Sequence, residues 1–282
     1  MGTPDQPSLF EPDPNEPLTK TPGTRTERMR VLITVKAAPN PSETYGETVC
    51  VAGIRIDQIP HRWIRLYPIN FRELDNPRKF HKYDIVSLEA RPAVADPRPE
   101  SYRPVLDTVR SEKKLVGWSR RKPFIIDHVQ ASMCEVLTAV RDHPPARSLA
   151  AIRPRLVKDL EIRPHGGWDP SEQAKIDRYV RQEDLLSTGL RTALEAPRFK
   201  GWYRYLCQSP NCKGHRQGIY DWEWVALQRR FSHLDDVALT ATLRRNFFDQ
   251  MCGPAYDTVF YVGNQKKHQN VFMILGVFYP KR

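Results

Sequence analysis

The chain has 282 residues, of which 40% are hydrophobic and 10% aromatic, so it has material for about two modest domains and is not a generally disordered protein. Its formal net charge is +11, and the first 28 residues carry three Lys/Arg against five Asp/Glu, so the rest of the chain is more basic than the total suggests. A surface of this charge favours a polyanionic partner, most commonly nucleic acid. No run is long and apolar enough for a membrane span, and the start lacks a secretory pattern. The five cysteines, an odd number, fit reduced thiols better than a set of disulfides. These features predict a cytoplasmic protein, which would be nucleoid-associated if it binds DNA.

Residues 1–28 predict a flexible tail, because they contain six prolines and few apolar side chains. One short segment interrupts the polar sequence. Its Gln6, Ser8, Leu9 and Phe10 resemble the peptide by which many bacterial replication and repair proteins dock on the sliding clamp, although Pro7 stands where Leu is usual. The tail is otherwise a linker with two exposed apolar residues.

Residues 29–165 predict a β-rich lobe built from short apolar runs separated by Pro, Gly and Asn. The runs lie at 31–35, 48–52, 63–67 and 83–88. In the third run Ile64 and Leu66 share one face, and Trp63, Arg65 and Tyr67 share the other. The second face predicts a surface that stacks bases and holds phosphates. The alternative is that Trp63 and Tyr67 cover the edge of a core.

A basic stretch follows between residues 110 and 122, with six basic residues, one acidic residue and an interleaved tryptophan. This composition favours contact with a nucleic-acid backbone, although a solvated turn is the alternative. The candidate nucleic-acid-binding residues here are Lys113, Lys114, Trp118, Arg120, Arg121 and Lys122, and Lys266 and Lys267 add a second basic site.

Residues 166–282 predict an α+β lobe. Helical spacing is present at 222–231 and 237–251, and the two apolar runs at 258–262 and 271–279 predict central strands. The whole chain therefore has the pattern of an α+β protein, in which an OB-like barrel lobe precedes a lobe with a Cys/His knuckle.

The knuckle consists of Cys207, Cys212 and His215. Soft thiolate and imidazole ligands are typical of a structural Zn²⁺ site. Only three ligands lie in this segment, and the candidates for a fourth are Cys252, His268, His233 and Asp221. An open fourth position would instead hold water and permit chemistry. Cys50 and Cys134 have apolar neighbours and are predicted to be packing residues.

An enzymatic alternative uses hard oxygen ligands. Asp221 and Glu223, together with Asp257 or His268, could hold Mg²⁺ for phosphodiester cleavage. The competing interpretation places Asp221 as the cap of a helix that begins at Trp222, with Glu223 in its first turn.

The N-terminal portion resembles the dual OB-containing domain of bacterial proteins. The resemblance lies in the segments at 31–35, 46–54, 62–68 and 82–86 and covers residues 30 to 165. It implies OB-type barrels that bind nucleic acid or another ligand, and it carries over no catalytic residue.

Taken together, these features predict a nucleic-acid-binding protein, with DNA favoured over RNA, that acts in DNA repair, replication or genome defence and is tethered to the sliding clamp through Gln6–Phe10. The alternatives are a metal-dependent nuclease and a zinc-stabilised protein-interaction adaptor.

Overall fold

The computed structural model describes residues 19–20, 22–42, 46–69, 79–130, 132–142, 146–181 and 193–282. The tail peptide at Gln6–Phe10 lies outside these ranges. Within them, every helix is too short or too polar to cross a membrane.

The chain begins with the strands β1 (Glu27–Lys36), β2 (Asn40–Ser42), β3 (Gly46–Arg55), β4 (Arg62–Ile69), β5 (Asp84–Pro92) and β6 (Ser101–Lys114). After them come α1 (Trp118–Ile125), a 3-10 turn (Ile126–His128), β7 (Val129–Gln130), α2 (Met133–Asp142), β8 (Leu149–Ile152), β9 (Leu156–Pro164) and α3 (Pro170–Arg181). The chain ends with β10 (Phe199–Leu206), β11 (His215–Gly218), α4 (Trp222–Arg230), α5 (Asp236–Arg244), a π-helical turn (Arg245–Gln250), β12 (Val259–Asn264) and β13 (Phe272–Phe278).

The N-terminal strands close into a five-stranded barrel. Its order is β1-β5-β6-β4-β3, and β3 pairs back onto β1. The β4–β6 pair is parallel, whereas the other pairs of the barrel are antiparallel. Closure leaves the barrel strands without a long free edge.

Alternate side chains of these strands fill the barrel. Ile64 and Leu66 point inward, as their spacing predicts, and join Val31, Val51 and Val86 in one buried cluster. Full burial of such a side chain stabilises the fold by about 1.5–3 kcal/mol.

A four-stranded sheet of order β13-β12-β8-β7 covers part of the outer surface of the barrel. Leu32, Ile54 and Trp63 of the barrel pack there against Tyr261 and Leu275 of the sheet. The predicted outer surface at Trp63 and Arg65 is therefore wrong, since both residues are buried. The alternation of side chains along β4 correctly predicts which residues share a face. The face that carries Trp63 and Arg65 is nevertheless covered by strands that come much later in the chain.

The remaining elements form a second core. A three-stranded sheet of order β11-β10-β9 packs with α2, α4 and α5 around Tyr203, Trp224 and Phe247. The protein is therefore a mixed α+β fold with a barrel in its N-terminal part. The strands β8 and β9 pair with β12 and β10, respectively.

Candidate metal centre and ligand cleft

Three cysteines and one histidine come together at one end of the three-stranded sheet. The His215 Nε2 atom lies 3.5 Å from Cys134 Sγ, 3.4 Å from Cys207 Sγ and 3.3 Å from Cys212 Sγ. The Cys134 and Cys207 sulfurs are 3.6 Å apart. All four ligand atoms lie within 4.8 Å of one another. This cluster could hold a metal ion.

The turn between β10 and β11 positions three of these residues. Cys207 directly follows β10, and the Cys212 amide donates to Ser209 O at 3.1 Å to close a tight turn. Gly214 has φ +108°, a conformation that side chains rarely adopt, and it returns the chain to begin β11 at His215. The sequence prediction of a knuckle at this turn is confirmed as a Cys/His cluster.

The fourth member of the cluster is Cys134, which the sequence analysis assigned to packing. Cys134 does pack against the second core, but its thiol also lies in the cluster, which the sequence analysis did not predict. Cys134 is the second residue of α2, and the Ser132 hydroxyl accepts from the Glu135 amide at 3.1 Å and so fixes the start of this helix. The helix begins beside the knuckle, where burial and the neighbouring thiols of Cys207 and Cys212 raise the pKa of Cys134 to about 12.

None of the predicted fourth ligands lies in the cluster. Asp221 pairs with Lys82, and the Cys252 thiol contacts Phe247 O. His233 and His268 are exposed on other loops.

The geometry fits a tetrahedral ion with soft ligands. Zinc–sulfur bonds of about 2.3 Å and zinc–nitrogen bonds of about 2.0 Å place the ligand atoms of such a site about 3.5–3.8 Å apart. Burial acts to raise the pKa of Cys207, but backbone hydrogen bonds and the contact with His215 outweigh it and lower that pKa to about 6. One thiol of the cluster therefore ionises readily near neutral pH.

The residues of the hydrolase alternative do not converge. Asp221 caps α4 by accepting from the Glu223 amide at 3.0 Å, so the capping interpretation is confirmed. Asp257 forms an ion pair with Arg153, at 2.8 Å. In the described part of the chain, the Cys/His cluster is the only group of three or more such ligands close enough to share an ion.

A cleft of about 790 Å³ lies beside the barrel and is separate from the cluster. One wall comes from the loop after β1, from Tyr67 of β4, and from residues 92–98 between β5 and β6. The opposite wall comes from the loop at 264–268 and from Met273 and Leu275 of β13. Among the described lining residues Asp96 is the only carboxylate. The cationic lining residues are Arg65, Arg91, Arg98, Arg103, Lys266 and Lys267.

The structure thus brings together some of the predicted nucleic-acid-binding residues. Lys266 and Lys267 are exposed at this cleft, and Tyr67, which lines the opposite wall, has 42% of its surface exposed. Arg65 lies buried at the floor. Sequence analysis missed Arg91 of β5 and Arg103 of β6, because only the folded chain shows that they line the same cleft as Lys266.

The basic stretch at 110–122 lies elsewhere. Lys113, Lys114, Arg120 and Lys122 are exposed. Trp118 is half-buried, with its ring 5.2 Å from that of Phe278 and 4.9 Å from that of Tyr279. Arg121 lies over the Tyr83 ring at 4.0 Å. Lys114, Trp118 and Arg121 line a second, smaller cavity of about 400 Å³.

Comparison with known proteins gives two matches to family models. The model described as "Domain of unknown function (DUF8757)" matches residues 129–282, and the one described as "Domain of unknown function (DUF8758)" matches residues 27–127. The two matched segments meet within the 3-10 turn that follows α1. No curated protein matches the chain.

Proposed function

The chain belongs to the family described as "Domain of unknown function (DUF8757)", and from that starting point we propose that it is a nucleic-acid-binding protein that holds single-stranded DNA in the cleft beside its barrel. The observation that carries this proposal is the charge of the cleft. Six of its described lining residues are Lys or Arg, against the single carboxylate of Asp96. A concave surface of one sign concentrates a polyanion.

The barrel topology supports the same assignment. In the order of the chain, the barrel strands are β1, β3, β4, β5 and β6, and the single parallel pair between β4 and β6 in a closed five-stranded barrel supports the assignment to the OB type. Such barrels bind oligonucleotides over the second and third strands, between the loops that follow the first and fourth. In this chain β12 and β13 cover part of that face at Ile54 and Trp63, so the support comes from the loops. The cleft lies between the equivalent loops of this chain, at residues 37–41 and 93–98.

The side chains at the cleft suit a single strand. Lys266, Lys267 and Arg91 are exposed cations that can contact phosphates, and Tyr67 offers an exposed ring for stacking. DNA is preferred because the tail segment Gln6–Phe10 resembles a sliding-clamp peptide, which would deliver the barrel to DNA in replication, repair or genome defence.

The Cys/His cluster has a structural role in this proposal. Cys134, Cys207, Cys212 and His215 would hold Zn²⁺ and leave no open position for a water molecule. A bound zinc ion would tie α2 to the β10–β11 turn. A closed site of this kind favours a binding protein over a hydrolase.

Fluorescence anisotropy with labelled single-stranded DNA, duplex DNA and RNA across a salt series tests the proposal. We expect the tightest binding with single-stranded DNA and an inverse dependence of affinity on salt. Charge reversal of Lys266 and Lys267 to Glu should weaken binding, and it should reduce the steepness of the log–log salt dependence by about 0.7 for each phosphate that is no longer neutralised.

The matched control reverses Lys158 and Lys200, two exposed lysines of β9 and β10 that lie outside the cleft. This variant has the same net charge as the cleft variant. Failure of all three probes to bind would refute the proposal, and an equal reduction of affinity in the two variants would refute the cleft as the binding site.

A further inference from the structure

The smaller cavity, of about 400 Å³, lies between the two segments that match the family models. Lys36, Lys114 and Arg121 line it from the first segment, and Trp222 and Tyr279 line it from the second. Small-molecule sites have volumes of about 300–1,000 Å³ and occur preferentially where two domains meet. The size and the position of this cavity are therefore those of a ligand site.

The lining of this cavity has an excess of positive charge. Four of its described residues are cationic, namely Lys36, Lys82, Lys114 and Arg121. Among the same described residues the only carboxylate is that of Glu223, which lies 3.3 Å from Lys82 Nζ. Because Lys82 also pairs with Asp221, at 2.7 Å, one cation takes up both carboxylates. An anionic ligand would neutralise the charge that remains.

Arg121 is held in place by three contacts. Its Nε atom donates to Leu115 O at 2.8 Å, and its guanidinium carbon lies 4.0 Å from the centre of the Tyr83 ring and 4.8 Å from that of the Trp118 ring. In the part of the chain that the structure describes, neither Arg121 nor the adjacent Lys114 forms an ion pair. A guanidinium fixed in this way presents the planar set of donors that binds two oxygens of a phosphate at once.

Lys36 is the buried cation of the cavity. It is 8% exposed, and its Nζ atom donates to Phe80 O at 3.3 Å and lies 5.6 Å from the centre of the Trp222 ring. Burial and the charge of Lys82 lower its pKa to about 8, and two nearby carboxylates only partly oppose this effect. An anion in the cavity favours the charged form of Lys36 and offsets part of the cost of burying it.

We propose that this cavity binds a small phosphorylated molecule, whose terminal phosphate accepts hydrogen bonds from Arg121 and Lys114. Lys36 adds a further positive charge, and the aromatic side chains of the lining pack against the rest of the ligand. No described residue lines both this cavity and the cleft beside the barrel, so the site goes beyond the proposed function and does not depend on it.

The charge of the lining favours a terminal phosphate over the backbone of a nucleic acid. A phosphate monoester carries about 1.5–2 negative charges at pH 7, whereas each phosphate of a strand carries one. The more highly charged group suits a lining with this excess of cations.

Isothermal titration calorimetry at pH 7 and constant ionic strength tests the site, with pyrophosphate as the probe and succinate as a dianion that lacks phosphate. We expect one pyrophosphate to bind for each chain, and succinate to bind at least about tenfold more weakly. Lys114→Glu should weaken pyrophosphate binding at least about tenfold, because it places a carboxylate in the cavity. Arg121→Lys, which keeps the charge and loses the planar donors, should also weaken it.

The matched control is Lys113→Glu. Lys113 is the exposed neighbour of Lys114 on β6 and does not line the cavity, so this variant has the same net charge and should bind pyrophosphate like the wild type. Equal losses in Lys113→Glu and Lys114→Glu would overturn the cavity as the site, and equal affinity for succinate would overturn its assignment to phosphate. Absence of saturable pyrophosphate binding would overturn the proposal altogether.

A competition experiment identifies the source of the phosphate. Single-stranded DNA with a 5′-hydroxyl end should not displace pyrophosphate, because its phosphates are all part of the backbone. Displacement would assign the cavity to a nucleic-acid strand and overturn the small ligand. Pyrophosphate binding in a protein that binds no strand would leave this proposal intact and refute the proposed function.

Discussion

Lys82 joins the barrel to α4 through a buried ion pair with Asp221, whose two carboxylate oxygens each accept from the Lys82 Nζ atom at 2.7 Å. The side chains are 9% and 2% exposed, respectively. Burial acts to lower the pKa of the Lys82 ammonium, but Asp221 and Glu223 outweigh it and raise that pKa. The same Asp221 carboxylate caps α4, so one residue fixes both the start of a helix and its attachment to the barrel.

The first prediction concerns this pair. Lys82→Met should lower the free energy of unfolding by about 3–5 kcal/mol, because it leaves the Asp221 carboxylate buried without a counter-charge. The double variant Lys82→Met/Asp221→Asn should recover most of this stability, since Asn is neutral and still caps a helix. Urea denaturation at pH 7 measures all three proteins. A double variant less stable than Lys82→Met would contradict the explanation.

A second prediction concerns the metal centre. The purified protein should carry one zinc ion, and Cys134→Ser should reduce zinc affinity by at least about 100-fold, because it removes a direct ligand. It should also lower the melting temperature, since zinc binding is coupled to folding. Cys252→Ser is the matched control, as this thiol is half-buried outside the cluster. Elemental analysis and thermal unfolding provide the readouts. Equal zinc content in the two variants would remove Cys134 from the site.

A third prediction concerns the pH dependence of stability at Lys36. Burial, with help from the Lys82 charge, lowers the pKa of Lys36 from 10.5 to about 8. Between these two values the unfolded chain binds more protons than the folded one, so this group makes stability rise with pH from about 8 to about 10.5. At pH 7 the cost of burying the charge is fully present. Lys36→Met should therefore be more stable than the wild type there, by about 1–3 kcal/mol.

That advantage should shrink as the pH rises from 8 to 10, which urea denaturation at several pH values can measure. The exposed Lys114 gives the control, since it lines the cavity of about 400 Å³ together with Lys36, and Lys114→Met should change stability by less than about 0.5 kcal/mol. A Lys36→Met advantage that is constant with pH would exclude titration of Lys36 as its cause.

A fourth prediction concerns the tail. Phe10→Ala should abolish capture by the sliding clamp in a pull-down without weakening DNA binding, because the peptide is a tether separate from the cleft. Leu18→Ala, in the same tail, should leave capture unchanged. Simultaneous loss of clamp capture and DNA binding would contradict a tether.

The parts of the fold that could be predicted are those set by local sequence. Ile64 and Leu66 alternate with polar or aromatic residues, which is sufficient to place them inside a strand-built lobe. Cys207, Cys212 and His215 lie within one turn, so their proximity follows from the spacing. Asp221 precedes a helical pattern directly and is the residue type expected at a cap.

The parts that could not be predicted depend on distant segments. Cys134 reaches the knuckle only because α2 packs on the second core, and its apolar neighbours resemble an ordinary buried helix face. The one local indication that Cys134 belongs to the cluster is its position two residues after Ser132, at the start of a helix. Likewise, the buried Arg65 donates to Ser148 O, which also accepts from the Asn264 backbone N–H, and no local pattern around β4 indicates this contact.

The packing of β12 and β13 on the barrel also has a consequence for synthesis. The ribosome completes all five barrel strands by Lys114, but Val259, Tyr261, Leu275 and Phe278, which cover the outer face at Leu32, Ile54 and Trp63, are made much later than these strands. Until then the nascent barrel carries a bare apolar face, which is a site for chaperone binding or self-association. A chain stopped before Val259 would close its barrel and still be prone to aggregate.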